Sequence, residues 1–224
     1  MNTPSEICRL CGDRSISVFY TESERVYWKC LKCHVVFLHH SYFLDSHSEY
    51  QRYLTHKNNP ADPDYRNFLN KLCEPLLKKL VPESSGLDYG CGPGPALAHM
   101  LAEAGHRMKL YDPFFHNYPG SLNLKYDFIT CTETVEHFHN PAQEFLLLNS
   151  LLRAEGWLAI MTSLLSDETD FASWYYRKDP THVIFYTKQS FQHLSEIYNW
   201  KLESPAENVI LLQKKSSSEY IKSE

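Results

Sequence analysis

The sequence predicts an α/β protein: a mostly parallel sheet with an antiparallel C-terminal strand, preceded by a small cysteine-bearing module. Three observations carry this. Strand-sized apolar runs alternate with helical ones from Gly86 onward, which implies a parallel sheet. The first of those strands runs into a glycine-rich turn that opens a helix. Four of the seven cysteines fall in two Cys-x2-Cys pairs, between Cys8 and Cys33.

The N-terminal segment is short and polar. Cys8-x2-Cys11 and Cys30-x2-Cys33 stand 18 residues apart, a spacing suited to a four-thiolate structural zinc site. Two such knuckles supply tetrahedral sulfur ligands with little chain strain, and Gly12 suits the tight turn after the first pair. The competing reading is four unrelated buried cysteines. His34, beside Cys33, is an alternative ligand or simply an exposed residue. From Cys33 to Asn59, five of the twelve histidines and several tyrosines occur without a clear period. That stretch reads as irregular.

Asp62 and Pro63 then read as the cap and first residue of a lead-in helix. It carries Tyr65, Phe68, Leu69, Leu72, Leu76 and Leu80, and Pro75 should kink or split it. Strands follow at 86–89, 107–111, 126–131 and 157–162. Between the first two, a helix after Pro95 carries Leu97, Met100, Leu101 and Ala104 and ends at Gly105. Asn140 and Pro141 open another helix, with Gln143 completing a capping box and Gly156 as its stop. Its buried face is Phe145, Leu148, Leu151 and Leu152. Thr187 caps a last helix bearing Phe191, Leu194 and Tyr198. Strands at 200–203 and 208–213 close the sheet, and the tail from Ser216 is polar and expected to be disordered. The domain expectation is a zinc-binding module over 1–40, a helical lead-in over 41–81, the α/β domain over 82–215 and the tail over 216–224.

The net charge of -5 argues against broad electrostatic binding to nucleic acid, which needs a basic face. A small-molecule partner is favoured over nucleic acid. No apolar run is long enough to span a bilayer, and the opening MNTPSEICRL lacks the basic and apolar regions of a secretion signal. The expectation is a cytoplasmic protein with reduced thiols. Nothing in the sequence speaks to oligomeric state.

The strongest motif runs Gly86-Leu-Asp-Tyr-Gly-Cys-Gly-Pro-Gly94. Gly90, Gly92 and Gly94 permit a sharp turn and close backbone approach to a ligand at a helix N-terminus. Asp112 ends the second strand, 22 residues after Gly90, and suits an acid that accepts hydrogen bonds from ribose hydroxyls. The run resembles motif I of class I S-adenosylmethionine-dependent methyltransferases, whose sheet is Rossmann-like. The resemblance implies S-adenosylmethionine as cofactor, with Asp88, Gly90, Cys91, Gly92, Gly94, Asp112, Pro113, Thr132 and Glu133 around it. A dinucleotide enzyme would use the same logic, but the GxGxxG spacing is absent and Pro95 removes a backbone donor. Only 14 residues separate Asp112 from Asp127, so the adenine side must be abbreviated, with 122–124 as a minimal strand. Phe114 and Phe115 either stack on adenine or belong to the core.

Thr132-Glu133-Thr-Val-Glu136-His137 follows a strand, where open α/β sheets place their active sites. A helical turn there puts Glu133, Glu136 and His137 on one face. The pattern is similar to that of several methyltransferases, including ubiquinone-pathway O-methyltransferases. It also resembles the small-RNA 3′-end 2′-O-methyltransferases, in which two acids, the adjacent His and a distant His bind a divalent metal. His182 is the candidate distant His. Three readings stand. In the first, Glu133 contacts the cofactor and His137 is the general base, with Glu136 and His182 beside it. In the second, Glu133, Glu136, His137 and His182 hold a second divalent metal. In the third, Glu136 and His137 are structural. Trp174, Tyr175, Tyr176 and Arg177 read as a lid or wall over the acceptor, or as packing.

The knuckle Cys8-Arg-Leu-Cys-Gly12 is similar to N-terminal modules of a guanine-N1 ribosomal RNA methyltransferase and of sugar C-methyltransferases from natural-product pathways. Such a module holds a substrate or stabilises the fold. The functional expectation is a methyltransferase acting on a hydroxyl of a small molecule or sugar. The alternatives are a metal-assisted RNA methyltransferase and a non-catalytic, cofactor-binding zinc adaptor.

Overall fold

The computed structural model describes residues 6–55 and 58–216. Strands β1 (Ile16–Glu22) and β2 (Arg25–Cys30) form an antiparallel hairpin, and β3 (Val36–Leu38) pairs back onto β2. A 3₁₀ turn at His40–Tyr42 leads into α1 (Ser46–Tyr53). Asp45 caps α1, its carboxylate accepting from the Ser48 amide at 2.9 Å. The stretch from Cys33 to Asn59 is therefore more ordered than its missing period suggests. β3 is too short to show a period, and the buried residue of α1 is Glu49 instead of an aliphatic.

Asp62 caps α2 (Pro63–Leu77), with Pro63 in its first turn, as the sequence predicts. Pro75 neither splits nor ends it. Pro75 lies in the last turn, where the proline forfeits only one ladder hydrogen bond. Then come β4 (Ser85–Tyr89), α3 (Ala96–Glu103), β5 (Arg107–Tyr111), β6 (Tyr126–Thr132), α4 (Pro141–Leu151) and β7 (Leu152–Met161). The chain closes with β8 (Ile184–Phe185), α5 (Lys188–Tyr198), β9 (Trp200–Ala206) and β10 (Val209–Lys214).

The large sheet has the order β5-β4-β6-β7-β10-β9. Its first four strands pair in parallel, and β10 runs antiparallel to β7 and β9. Mixed α/β architecture with an antiparallel C-terminal strand is what the sequence predicts. Successive strand residues divide between two apolar clusters, as the period of two requires. Phe128, Trp157, Ala159, Val209 and Leu211 face α2 and α3. Ile129, Leu158, Ile160, Ile210 and Leu212 face α4 and α5, in a cluster that also holds Cys8, Leu10, Cys30, Cys33 and Phe37. The N-terminal module thus shares a core with one face of the sheet. It also shares a strand: β8 joins the small antiparallel sheet β1-β2-β3-β8, with Val36 opposite Phe185 and Phe37 opposite Ile184.

Three local expectations are corrected. Residues 122–124 are not a strand: β5 and β6 are joined through a 3₁₀ turn at Pro119–Asn123, and β5 remains the sheet edge. α4 stops at Leu151, not Gly156, because Leu152 already pairs with Tyr126. Asn140 makes no side-chain cap and Gln143 no capping box; the Gln143 and Glu144 amides bond to the Asn140 carbonyl instead. The capping box occurs on α5, between Thr187 and Ser190. The tail beyond Ser216 lies outside the described residues. Among the described residues, no helix is long and apolar enough to cross a membrane.

Of the two readings of Trp174–Arg177, wall or packing, Arg177 takes the second: it is a buried fastener. Its guanidinium donates to Glu22 at 2.8 and 3.0 Å and to the carbonyls of Phe171 and Ala172, and it stacks on Tyr20, Tyr27 and Phe171. Arg177→Ala removes packing as well as charge and strands two carbonyls. We expect it to lower the unfolding free energy by roughly 2–4 kcal/mol in urea titrations. A loss under about 0.5 kcal/mol, the usual range for surface changes, would contradict this assignment.

Candidate active site

β4 and β6 are neighbours and parallel, so the loops that leave their carboxyl ends meet. Gly90 opens the first loop in the left-handed region, at φ 73°. A Cβ there would lie 2.1 Å from Cγ2 of Thr134 on the second loop, and one on Gly94 would lie 1.7 Å from the Asn58 carbonyl oxygen. Only glycine allows these approaches. Asp112 fixes the arrangement from the end of β5. Its carboxylate accepts from the Gly92 amide at 3.0 Å and from the Phe114 and Phe115 amides at 2.8 and 3.0 Å. Oδ1 takes both phenylalanine amides, and Oδ2, which takes only the Gly92 amide, keeps lone-pair capacity for a ligand hydroxyl. Asp88, buried at the end of β4, accepts from the Thr130 hydroxyl at 2.7 Å. Burial, with Asp112 nearby, pushes its carboxyl up to about 6 despite that hydrogen bond.

The helical turn expected to align Glu133, Glu136 and His137 does not form. Glu133 is left-handed at φ 47°, and a 3₁₀ turn spans Val135–His137. Glu136 is fully buried behind the cavity: one oxygen accepts from the Thr162 hydroxyl at 2.9 Å, and Oε1 has no partner among the described residues. The His137 ring packs edge-on against Tyr53 and His182. Its Nδ1 lies 3.0 Å from the Thr181 carbonyl, and Nδ1 of His182 lies 2.7 Å from that of Tyr176. A carbonyl only accepts, so both Nδ1 atoms carry a proton, and in the neutral ring the lone pair lies on Nε2. The ligating atoms of Glu136, His137 and His182 fall within 4.8 Å of one another; Glu133 is not in that group. Burial, with His137 adjacent, pushes His182 down to about 4. Burial and the neighbouring Glu136 push the Glu133 carboxyl up.

All these loops surround one cavity of about 910 Å³. Asp88, Gly90, Cys91, Gly92, Gly94, Asp112, Pro113, Thr132 and Glu133 line it, as do His137 and His182. Of the aromatic segment expected over the acceptor, Tyr175 and Tyr176 reach the cavity, whereas Trp174 packs on Phe171 and Phe185. Phe114 and Phe115 line it too, packed against Tyr50. Sequence reasoning missed α1, which brings Glu49, Arg52 and Tyr53 to the wall. Arg52 is held by Asp179 at 2.6 Å and Glu49 by His139 at 2.8 Å. The Asp45-x-x-Ser48 cap followed by Glu49 and Tyr53 at i and i+4 was the available signal.

Away from the cavity, Cys8, Cys11, Cys30 and Cys33 bring their sulfurs within 4.8 Å of one another. The Cys8–Cys33 and Cys11–Cys30 pairs stand at 3.5 and 3.6 Å. Sulfurs bound tetrahedrally at zinc–thiolate length stand about 3.8 Å apart, so the four residues fit such an ion.

A family model described as a methyltransferase domain matches residues 62–204. The chain belongs to that methyltransferase family. No curated protein matches it. Among solved structures it is similar to the PH0226 protein of Pyrococcus horikoshii, at 16% identity and TM-score 0.53 over 75% of this chain and 99% of that one. That likeness shows a shared fold. It is also similar to a Burkholderia thailandensis 1,6-didemethyltoxoflavin-N1-methyltransferase, with 14% identity and TM-score 0.49 over 89% and 100% of the two chains. CalO1, a methyltransferase of calicheamicin biosynthesis in its SAH-bound form, aligns at 10% identity and TM-score 0.49. That alignment covers 68% of this chain and 55% of CalO1.

The buried carboxyl of this methyltransferase domain gives a pH signature. Asp88 ionises near 6 when folded and near 3.9 when unfolded, which costs the folded state roughly 2–3 kcal/mol once both forms are ionised. Its contribution is most favourable below about pH 4 and is lost as pH rises through about 6. Asp88→Asn removes that cost. We expect it to raise urea resistance at about pH 8, with the gain fading below about pH 4. An equal gain at both pH values would contradict the assignment.

Proposed function

We propose that this protein transfers the methyl group of S-adenosylmethionine to a hydroxyl of a small-molecule or sugar acceptor. The observation that carries the reading is the meeting, in one cavity, of the glycine turn and Asp112 with two histidines whose Nδ1 atoms are held by backbone carbonyls. When bound, the cofactor supplies an electrophilic methyl carbon on a cationic sulfur, the carbon–sulfur bond breaking as the carbon–oxygen bond forms.

The chain's own residues do the rest. The Gly90–Gly94 backbone admits the cofactor's amino-acid part, and Asp112 receives its ribose hydroxyls. Asp88 and Glu133 are the acidic groups on the cavity wall beside the cationic groups of the ligand, with Cys91, Pro113 and Thr132 as neighbours. His137 takes the acceptor's proton, because burial leaves His182 too weak a base. His182, packed edge-on against His137, lines the cavity beside it, and Glu136 supports the turn from behind through Thr162; alignment of acceptor and methyl group is what lowers the barrier most in direct displacement. The four-cysteine site takes a structural zinc, in a proposed organisation of a zinc-binding module over 1–40, a lead-in over 41–81 and an α/β domain over 82–215.

A second reading has its own observation. Glu136 Oε1 is buried with no partner among the described residues, ligating atoms of Glu136, His137 and His182 fall within 4.8 Å of one another, and each imidazole has its Nδ1 held by a backbone carbonyl. Histidines that ligate metals have their other nitrogen fixed in this way. A divalent metal there would draw the acceptor oxygen toward its alkoxide.

The deciding experiment is metal analysis beside calorimetric titration with S-adenosylmethionine, on the wild type and on Asp112→Ala. The expected result is one zinc per chain and affinity on the order of micromolar, lost in the variant. A second metal equivalent would bring the metal reading forward. Absence of cofactor binding would overturn the proposal.

A further inference from the structure

The four-cysteine site lies outside the cavity, yet each of its knuckles leads to one of the two cavity histidines. Between Cys8 and Cys11, Arg9 grips both ends of the segment after His137. Its guanidinium donates to the His139 carbonyl at 2.8 Å, and its own carbonyl accepts from the Ala142 amide at 3.3 Å. The same guanidinium lies over the Phe43 ring, which packs on His139. The second knuckle, Cys30 to Cys33, runs directly into β3. β3 pairs with β8, and the Leu38 amide donates to the Val183 carbonyl at 2.9 Å, one residue from His182. The Val183 amide in turn donates to the Glu136 carbonyl at 2.9 Å. Cys8, Cys30 and Cys33 are buried in one apolar cluster with Phe138, Val183 and Phe185.

We infer that the four-cysteine site is the positioning frame of the His137–His182 pair, and that Arg9 is the positioning residue linking it to the His137 side. The inference rests on the proposed function only in taking these histidines as the acceptor-facing groups. An ion on the four thiolates fixes one knuckle relative to the other. The knuckles fix the two histidine segments, one through Arg9 and one through the β3–β8 ladder. The cofactor turn leads into α3, whose apolar face lies in the other cluster, against α2. The helix behind the glycine turn thus rests on elements that neither knuckle reaches, although the turn itself meets the His137 loop at Thr134. A module that only adds stability would show no such division.

The test uses the full chain, labelled with ¹³C at the histidine rings, with His137 and His182 signals assigned through H137Q and H182Q. Arg9→Ala and Arg9→Lys are compared with the wild type for zinc content, affinity for S-adenosylhomocysteine and ring signals. Arg9→Ala is expected to keep its zinc and to bind S-adenosylhomocysteine within about twofold of wild type, as separate sites should. Its His137 and His139 signals should shift or broaden while those of the remote His106 and His193 stay in place. Arg9→Lys, which still offers a donor to the His139 carbonyl, should lie closer to wild type. Chelating the zinc should move His137 and His182 together. Unmoved His137 and His182 signals in zinc-bearing Arg9→Ala or in chelated wild type would overturn the inference, as would zinc loss in Arg9→Ala. Failure of the wild type to bind S-adenosylhomocysteine would sink the proposed function instead, and the ring signals would still decide this one.

Discussion

Ile184 and Phe185 pair with β3 of the N-terminal module, not with the large sheet. Much of the histidine side of the cavity follows from that choice. A two-residue strand has little stability of its own. Here its side chains are fully buried beside Phe37, Tyr27 and Phe171, so apolar burial holds what so few hydrogen bonds could not. With β8 held there, His182 sits at the strand entry facing His137, and Glu136 is sealed beneath by Thr162 and the Val183 amide. Without the pairing, the 3₁₀ turn after β6 would have no roof.

Around the glycine turn the dominant constraint is electrostatic. Asp88, Asp112, Glu133 and Glu136 crowd into a small volume, and the raised carboxyls of Asp88 and Glu133 register the cost of ionising them there. A fold that carries such groups loses stability that two apolar residues would have supplied. The proposed ligand bears both an ammonium and a sulfonium, and each would offset part of that cost on binding. Buried acid and cationic cofactor are then two halves of one balance. Perturbed carboxyls lie in the binding cavity, as expected for functional groups.

The large sheet was legible in the sequence because its signals are local. Gly86 to Gly94 couples a strand to a turn to a helix, and the buried strands read as apolar runs with no competing period. The two cysteine pairs were legible for the same reason. What could not be read needs contacts between distant segments. Gly156 signalled a helix stop, but pairing of Leu152 with β6 ended α4 five residues earlier. Glu133, Glu136 and His137 have helical spacing, yet the Glu133 amide donates to the Met161 carbonyl and that residue turns left-handed. The pairing of His182 with His137 could be suspected from sequence. Its geometry depends on β8, which no local pattern announces.

The family match begins at residue 62, so the N-terminal module and α1 both precede it. Those preceding elements nevertheless supply Glu49, Arg52 and Tyr53 to the cavity wall and Arg9 to the loop behind it. The matched portion holds the glycine turn, Asp112 and the two histidines, the groups that the proposed reading makes common to every acceptor. On the proposed reading, selectivity for one acceptor over another has to come from groups that differ around that machinery. α1 is the element so placed. Its polar side chains are held by partners on two different loops, Arg52 by Asp179 and Glu49 by His139. Side chains locked by such bonds present a defined surface to a ligand, which is what discrimination between similar acceptors requires.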